Sequence, residues 1–279
     1  MTVRDLGYRP YVGKRLPTSN NVWVLLRHCL RRASRSWLVR IAVFSCWTVL
    51  LAAGFARAFE LPVWSVVFRY LIWIPVALVS LGSGSVAIAD DLRNGIFRFY
   101  FVKPTTPAQY LAGQIGAVAL TCFAVTFIPA AATGILLSIL SAANDPNFTP
   151  LEAYGVLFPA ATSSIFTSAI VACLSVGISS LSSSRAITMG VWLVLFIVPH
   201  VLGNMVHATA LLRSQGTSGW PWLLLASVPT LLAEVNDAIF KIQSDSALHW
   251  SQALTVLITA ALFAVLGALK RLEQAEVVR

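Results

Sequence analysis

The feature that most constrains this chain is a series of apolar segments, each long enough to cross a lipid bilayer. About 20 apolar residues in a helix span the hydrocarbon core, and a helix satisfies its backbone hydrogen bonds internally, as a lipid-exposed segment must. The predicted spans are 37–56, 63–89, 110–140, 153–181, 186–206 and 251–269. The sequence therefore predicts an all-α fold: a polytopic membrane protein with six transmembrane helices, whose single transmembrane domain covers residues 1–279.

Composition and charge agree with this class. Charged residues make up 11% of the chain, against roughly 25% in soluble domains, so lipid must cover part of the surface. The formal net charge is +9, and most basic residues lie in 1–36, in 90–109 and in the C-terminal tail. At membrane boundaries these residues indicate anionic lipids as partners rather than nucleic acid. Their asymmetry predicts that these regions and both termini lie in the cytoplasm.

The N-terminal arm, residues 1–36, is predicted to end in a helix that lies in the membrane interface. Apolar residues recur there every three or four positions: Trp23, Leu26, Leu30, Ala33 and Trp37. The remaining surface carries four arginines: Arg27, Arg31, Arg32 and Arg35. A basic amphipathic helix of this kind rests with its apolar face in lipid and its arginines toward phosphates. The alternative is a cytoplasmic helix that packs on a partner.

The region 207–250 lies between the fifth and sixth predicted spans. Its apolar part, 222–232, is about half as long as a crossing requires. It is interrupted by Pro229 and followed by Glu234 and Asp237. We predict an outer helical cap here, because a seventh crossing would move the basic C-terminal tail to the outside, against the charge asymmetry.

No pattern in the sequence indicates catalysis or metal binding. The four cysteines are not closely paired and lie in apolar or membrane-flanking segments, which is typical of small buried side chains. A phosphate-binding loop is rejected at Gly7, Gly13 and Lys14, because the spacing is wrong and Arg15 follows the lysine. An intramembrane enzyme would need clustered titratable groups, and the spans contain very few. We therefore predict no catalytic residue, no metal ligand and no cofactor in this chain.

One charged residue inside a predicted span stands apart from the others. Arg69 lies within the segment 63–89, where a charge is expensive and is expected to face protein or a water-filled cavity. Two roles are open for it. It forms a structural ion pair, with Glu152 or Glu234 as candidate partners, or it lines a pathway.

A long polar segment, 90–109, follows the second predicted span. Each of its charges would cost roughly 2.5–3.5 kcal/mol at the bilayer centre, so the segment must lie outside the hydrocarbon. We predict a compact cytoplasmic element that binds something outside the membrane. In order it contains Asp90, Asp91, Gly95, the apolar run 97–102, Lys103, Pro104 and Pro107.

The order of these elements resembles the permease subunits of type-2 ABC exporters. In that family the polar segment between the second and third spans reads acid, glycine, apolar run, proline, then a new span. The residues that follow this order here are Asp90, Asp91, Gly95, Phe97, Phe101, Pro104 and Pro107. The architecture matches over nearly the whole chain, whereas the specific motif covers only 90–114. The run 96–101 is more aromatic than the leucine-rich run of the family.

The resemblance implies a transport function and a set of partners. A separate ATPase subunit would bind ATP and Mg²⁺, and two permease copies, or this chain and a homologue, would face each other. The segment 90–109 would be the coupling helix that docks on the ATPase. The residues implied at this contact are Asp90, Asp91, Arg93, Gly95, Phe97, Arg98, Tyr100, Phe101, Pro104 and Pro107. The alternative is a membrane component that transmits mechanical work from an ATPase without transporting a solute.

Overall fold

The computed structural model describes residues 21–58, 63, 66–95, 105–144, 150–212, 225–242 and 248–277. All regular secondary structure in these ranges is helical, with no strand among them, so the predicted all-α class is confirmed. We label the helices in chain order and use π for the two π-helical segments. They are α1 (Asn21–Arg35), α2 (Trp37–Ala58), π1 (Val66–Leu71), α3 (Trp73–Val79), π2 (Ser80–Gly84), α4 (Ala87–Arg93), α5 (Pro107–Asn144), α6 (Pro150–Ser179), α7 (Arg185–Leu212), α8 (Val228–Ile239) and α9 (Trp250–Val277).

Several of these helices are long and apolar enough to cross a membrane. Within the described ranges the candidates are Trp73–Arg93, Pro107–Leu136, Leu157–Ser179, Arg185–Gly203 and Trp250–Gln274. A sixth crossing is counted only if α1 and the first part of α2 are one span bent by 74°. The predicted multi-pass membrane protein is thus supported with five or six candidate spans.

Side chains on the outside of the helical body fit a lipid environment. Large apolar residues of α2, α7 and α9 are exposed, and Phe44 and Leu51 of α2 each keep 74% of their surface accessible. Water-soluble monomers rarely expose contiguous apolar patches on this scale. Lipid is therefore the solvent that this surface requires.

The core is organised around α5 and α6, which pack against each other extensively, with α1 along α5 and α9 along α6. Two glycines allow the close approaches. A Cβ on Gly177 would lie 2.5 Å from the Cβ of Ala264, and a Cβ on Gly113 would lie 2.9 Å from the Cβ of Leu25. Small residues at such crossings are what helices in membranes use to pack tightly.

The predicted second span is not one regular helix. Within the predicted bounds, 63–89, the described residues form π1, α3, π2 and the first residues of α4, with turns at Ile72 and at Ser85 and Val86. A π-helical segment disturbs the usual backbone ladder, and other groups must then satisfy the freed backbone atoms. Gly82 in π2 lets the corner between α1 and α2 pack here, since a Cβ on Gly82 would lie 2.7 Å from the Cβ of Leu38.

The first turn of α4 is capped by a neighbouring helix. The Oγ atom of Ser179, the last residue of α6, accepts hydrogen bonds from the N–H groups of Ile88 at 2.8 Å and Ala89 at 3.0 Å. All three residues are buried. Because the first N–H groups of a helix have no partner within it, Ser179 supplies the acceptor that an N-cap residue normally provides.

Replacing Ser179 with alanine is expected to destabilise the protein by about 1–3 kcal/mol, because two buried N–H groups lose their acceptor. The measurement is unfolding of the purified protein in mixed micelles. Ser180→Ala is the matched control, since Ser180, directly after α6, is also buried but its Oγ donates to the Gly177 carbonyl of α6 and not to α4. Equal destabilisation by the two changes would contradict the capping role.

The helix α8 is a described part of the region predicted to be an outer cap. The Oγ atom of Ser227 caps its start by accepting a hydrogen bond from the N–H of Thr230. Most of its residues are buried, and it packs against α9, α7 and π1, where the rings of Phe68 and Phe240 lie 4.8 Å apart. The helix is thus enclosed by the helical body, and its depth in the membrane stays a prediction.

Contacts among helix ends bring the predicted cytoplasmic segments together. Ser179 joins the end of α6 to the start of α4, and Arg271 of α9 donates a hydrogen bond to the carbonyl of Leu181, just after α6. The start of α5 lies at the same end of the helical body, where Tyr110 of α5 contacts Asp91 of α4. A common end is what the charge asymmetry predicts, because it places these segments on one side of the membrane. Which side of the membrane that end faces stays a prediction.

Candidate functional site

Arg32 of α1 joins two carboxylates at the end of the second span. Its Nη1 atom donates a hydrogen bond to Oδ1 of Asp91 at 2.7 Å, and its Nη2 atom donates to Oδ2 of Asp90 at 2.9 Å. Both acids lie in α4, beyond residue 89, where the sequence predicts the span to end. The forked guanidinium group has donors enough to bond both carboxylates at once.

Two residues of α5 extend this site around Asp91. The Tyr110 hydroxyl donates to Oδ2 of Asp91 at 2.6 Å, and Nε2 of Gln114 donates to the same oxygen at 3.3 Å and to the Tyr110 hydroxyl at 3.2 Å. Tyr110 and Gln114 are four residues apart and so share one face of α5. We call Arg32, Asp90, Asp91, Tyr110 and Gln114 the clasp, because together they connect α1, α4 and α5.

A capping box sets the start of α5. The Oγ1 atom of Thr106 accepts a hydrogen bond from the N–H of Gln109 at 3.2 Å, and Oε1 of Gln109 accepts one from the N–H of Thr106 at 3.3 Å. Pro107 occupies the first helical position, where its missing N–H is no loss. Tyr110 follows this box directly, so the box helps to determine where its hydroxyl meets Asp91.

The clasp holds a carboxylate in the protein interior. Asp91 is 1% exposed, whereas the Arg32 side chain keeps 38% of its surface accessible. A buried charge is tolerated when it is both paired and hydrogen-bonded, as Asp91 is. Burial lowers the pKa of Arg32, but the attraction and hydrogen bonds of Asp91 and Asp90 outweigh burial and raise that pKa above its ordinary value. Arg32 therefore keeps its positive charge where it contacts the two carboxyl groups.

A cavity of about 30 Å³ lies beside the clasp, and its lining includes Cys29, Arg32, Ser83 and Gln114. This volume is enough for a water molecule and far too small for an organic substrate. Burial, with a smaller effect from the charge of Asp91, raises the pKa of Cys29 to about 12, although Arg32 opposes the shift. The Cys29 thiol therefore stays protonated and unreactive at neutral pH.

Half of the residues predicted to contact an ATPase are described: Asp90, Asp91, Arg93, Gly95 and Pro107. The others lie outside the described residues: Phe97, Arg98, Tyr100, Phe101 and Pro104. Arg93 and Gly95 are exposed, and Gly95 adopts a φ of +64° after the last turn of α4, where glycine is favoured. Asp91 differs from the expectation of a surface contact, because the clasp encloses its carboxylate.

The side of α1 that packs on the protein shares only Ala33 with the apolar face that the sequence predicts to lie in lipid. Its buried residues are Leu25, Cys29 and Ala33, on the side that packs along α5, whereas Trp23 is 67% exposed. The sequence groups Arg32 with the surface arginines, and the structure instead places it in the clasp. The other arginines of the helix are exposed: Arg27, Arg31 and Arg35.

Apart from the clasp, α8 also carries buried polar residues. Glu234, Asn236 and Asp237 are each 3% exposed or less, and Oδ1 of Asn236 accepts a hydrogen bond from the Ser163 hydroxyl at 2.6 Å. The sequence singles out Glu234 as a candidate partner of Arg69. Arg69 lies in π1, but its side chain is outside the described part of the structure, so both of its predicted roles stay predictions.

No protein-family model matches this chain, and no match to a curated protein is found. Among the side chains that the structure describes, no group of three or more His, Cys, Asp and Glu is placed to hold a metal ion. Support for a function therefore comes from the clasp and from the pattern of residues 90–109.

Proposed function

We propose that this chain is the transmembrane permease subunit of an ATP-driven exporter of the type-2 ABC class. A separate ATPase subunit binds ATP and Mg²⁺ and docks on residues 90–107. Two permease subunits, either identical or homologous, enclose the path of the substrate. The setting is a bacterial inner membrane, with both termini in the cytoplasm.

The clasp is the observation that supports this proposal most directly. It connects the end of the second span, the start of α5 and the N-terminal helix, and in the sequence α4 and α5 flank the segment 96–104. A force on that segment reaches α4 and α5 through the chain and reaches α1 through Arg32. Networks of hydrogen bonds and ion pairs between rigid helices are the kind of structure that carries such coupling.

The residue types around this segment suit a docking contact. Arg93 is exposed at the end of α4, and Arg98 follows it closely in the sequence, so the two can set charge register with a partner. Phe97, Tyr100 and Phe101 are aromatic residues of the kind that anchor protein interfaces. In this arrangement Asp91 acts from inside, by holding α4 in place.

The double change Arg93→Glu and Phe97→Asp is expected to reduce ATPase binding by on the order of tenfold or more, because it reverses one charge and replaces an aromatic anchor with a charge. The measurement is co-purification of a co-expressed ATPase with the tagged permease, normalised to inserted permease. Lys241→Glu is the control, since Lys241 is exposed beyond α8 and is predicted to lie at the outer side. Undiminished binding by the double variant would count against docking here.

The side of the membrane is tested separately. In a background without the four natural cysteines, Arg93→Cys is expected to react with an impermeant thiol reagent only after the cells are opened. Labelling of intact cells would contradict the proposal. Stimulation of ATP hydrolysis by candidate lipids or peptides in liposomes would then distinguish an exporter from a mechanical transmitter.

A further inference from the structure

The outward side of α1 carries three arginines without an acidic partner. Arg27, Arg31 and Arg35 are exposed and recur every four residues, and the exposed Trp23 continues the row one turn earlier. The helix contains no acidic residue, and in the described part of the chain its ion pairs belong to Arg32 alone. Three positive charges are therefore left uncompensated on one side of a short helix.

This row points away from the helical body. The buried residues of α1 are Leu25, Cys29 and Ala33, and each is followed two positions later by an arginine of the row. Two residues correspond to a rotation of roughly 200° around an α-helix. The row consequently lies almost opposite the side that packs against α5, where neither α5 nor the clasp can reach it.

The angle between α1 and α2 places the row at the level of lipid head groups. The two helices meet at 74°, and the exposed apolar residues of α2 require hydrocarbon around them. With α2 directed across the membrane, α1 lies close to the membrane plane. Trp37, at the corner between the helices, is 65% exposed, and Trp23 is similarly exposed at the far end of α1. Tryptophan is enriched at this depth of a bilayer.

From this geometry we propose that the row Trp23, Arg27, Arg31 and Arg35 binds the phosphate groups of anionic phospholipids. Each guanidinium group can donate two parallel hydrogen bonds to a phosphate, and adjacent positive charges favour anionic over zwitterionic lipids. Bound head groups orient α1 from its outer side, while Arg32 holds it to Asp90 and Asp91 from its inner side. This lipid site is independent of any ATPase partner.

The test is reconstitution of the full chain into nanodiscs of phosphatidylcholine alone or mixed with phosphatidylglycerol, followed by detergent extraction and quantification of retained lipids by mass spectrometry. The wild type is expected to retain phosphatidylglycerol preferentially, and less so at high salt, because salt screens exposed charges. The triple variant Arg27→Gln, Arg31→Gln and Arg35→Gln is expected to lose this preference by on the order of tenfold or more.

The matched control removes the same charge elsewhere, with Arg185→Gln, Lys241→Gln and Lys270→Gln, all at exposed positions. This control should lose much less of the preference than the α1 variant, because its three charges lie in three different parts of the chain and not in one row. An equal loss in both triple variants would overturn the site, as would an unchanged preference in the α1 variant. If the α1 triple variant does not fold, Arg31→Gln alone should show a partial loss. Absence of any preference in the wild type, with the row instead required for ATPase binding, would also overturn the proposal.

Discussion

Arg32→Ala is expected to lower the free energy of unfolding by about 3 kcal/mol. Removing one partner of a buried ion pair costs about 3–5 kcal/mol because the other charge is left buried without compensation. The lower end applies here, since the Arg32 side chain is 38% exposed and water can replace part of the contact with Asp91. Unfolding of the purified protein in mixed micelles with increasing denaturing detergent measures this change.

Arg31→Ala is the matched control for this experiment, because Arg31 occupies the neighbouring position on the same helix and is exposed. Its effect is expected to stay within about 0.5 kcal/mol. A double variant of Arg32→Ala and Asp91→Ala should be less destabilised than the sum of the two single changes, because the residues share one contact. If Arg32→Ala and Arg31→Ala had equal effects, the clasp would not be a stabilising feature.

The reactivity of Cys29 offers a second way to measure the effect of Arg32→Ala. Its thiol is buried, and its pKa is raised to about 12, so alkylation at neutral pH is expected to be very slow while α1 is packed on α5. Because the thiolate is the reactive form, release of α1 after Arg32→Ala should expose Cys29, return its pKa toward the ordinary value and speed alkylation. A protein in which the other three cysteines are replaced isolates this signal.

Gly177→Ala is expected to destabilise the protein, although alanine is the better helix former. A Cβ at residue 177 would lie 2.5 Å from the Cβ and 2.9 Å from the carbonyl oxygen of Ala264, so α6 and α9 would have to move apart. Overpacking of this kind typically costs about 1–3 kcal/mol. Alanine gains at most about 1 kcal/mol over glycine in helix propensity, so the overpacking cost is expected to dominate. The same unfolding measurement in mixed micelles determines the sign.

Two other glycines provide the control for Gly177→Ala. Gly190 and Gly267 lie within helices and have nothing within 4 Å of an added Cβ, so alanine there should be neutral or stabilising by up to about 1 kcal/mol. Ala264→Gly combined with Gly177→Ala should restore part of the lost stability, because it removes the atom in conflict. Stabilisation by Gly177→Ala alone would show that α6 and α9 are not in tight contact.

Much of the helical framework could be predicted from local patterns. The helix α5 begins at Pro107 and α9 begins at Trp250, close to the predicted starts at 110 and 251. Long uncharged segments identify such helices because hydrocarbon excludes charge and requires internal hydrogen bonding. The capping box at Thr106 and Gln109 is another local signal, which a search for capping pairs would have found.

The clasp could not be predicted in the same way. Arg31 and Arg32 are adjacent arginines of one basic helix, and nothing in the local sequence indicates which of them pairs with an acid. Arg32 does lie next to Ala33, which shares the buried side of α1 with Leu25 and Cys29. That buried side can be identified only from the packing of α1 on α5. Asp91 was predicted to contact an ATPase subunit, because the order of residues in 90–109 does not show that α1 and α5 enclose its carboxylate.

The sequence by itself determined that this chain is all-helical, apolar enough to lie in a membrane, and interrupted by a polar segment after the second apolar run. Those properties follow from hydropathy and backbone hydrogen bonding, which act over short stretches of chain. Only the tertiary structure decided that Asp91 is buried, that Arg32 is its partner from 59 residues away, and that the second span is broken at Ser85. Such contacts depend on how distant helices pack, and no local pattern specifies that packing.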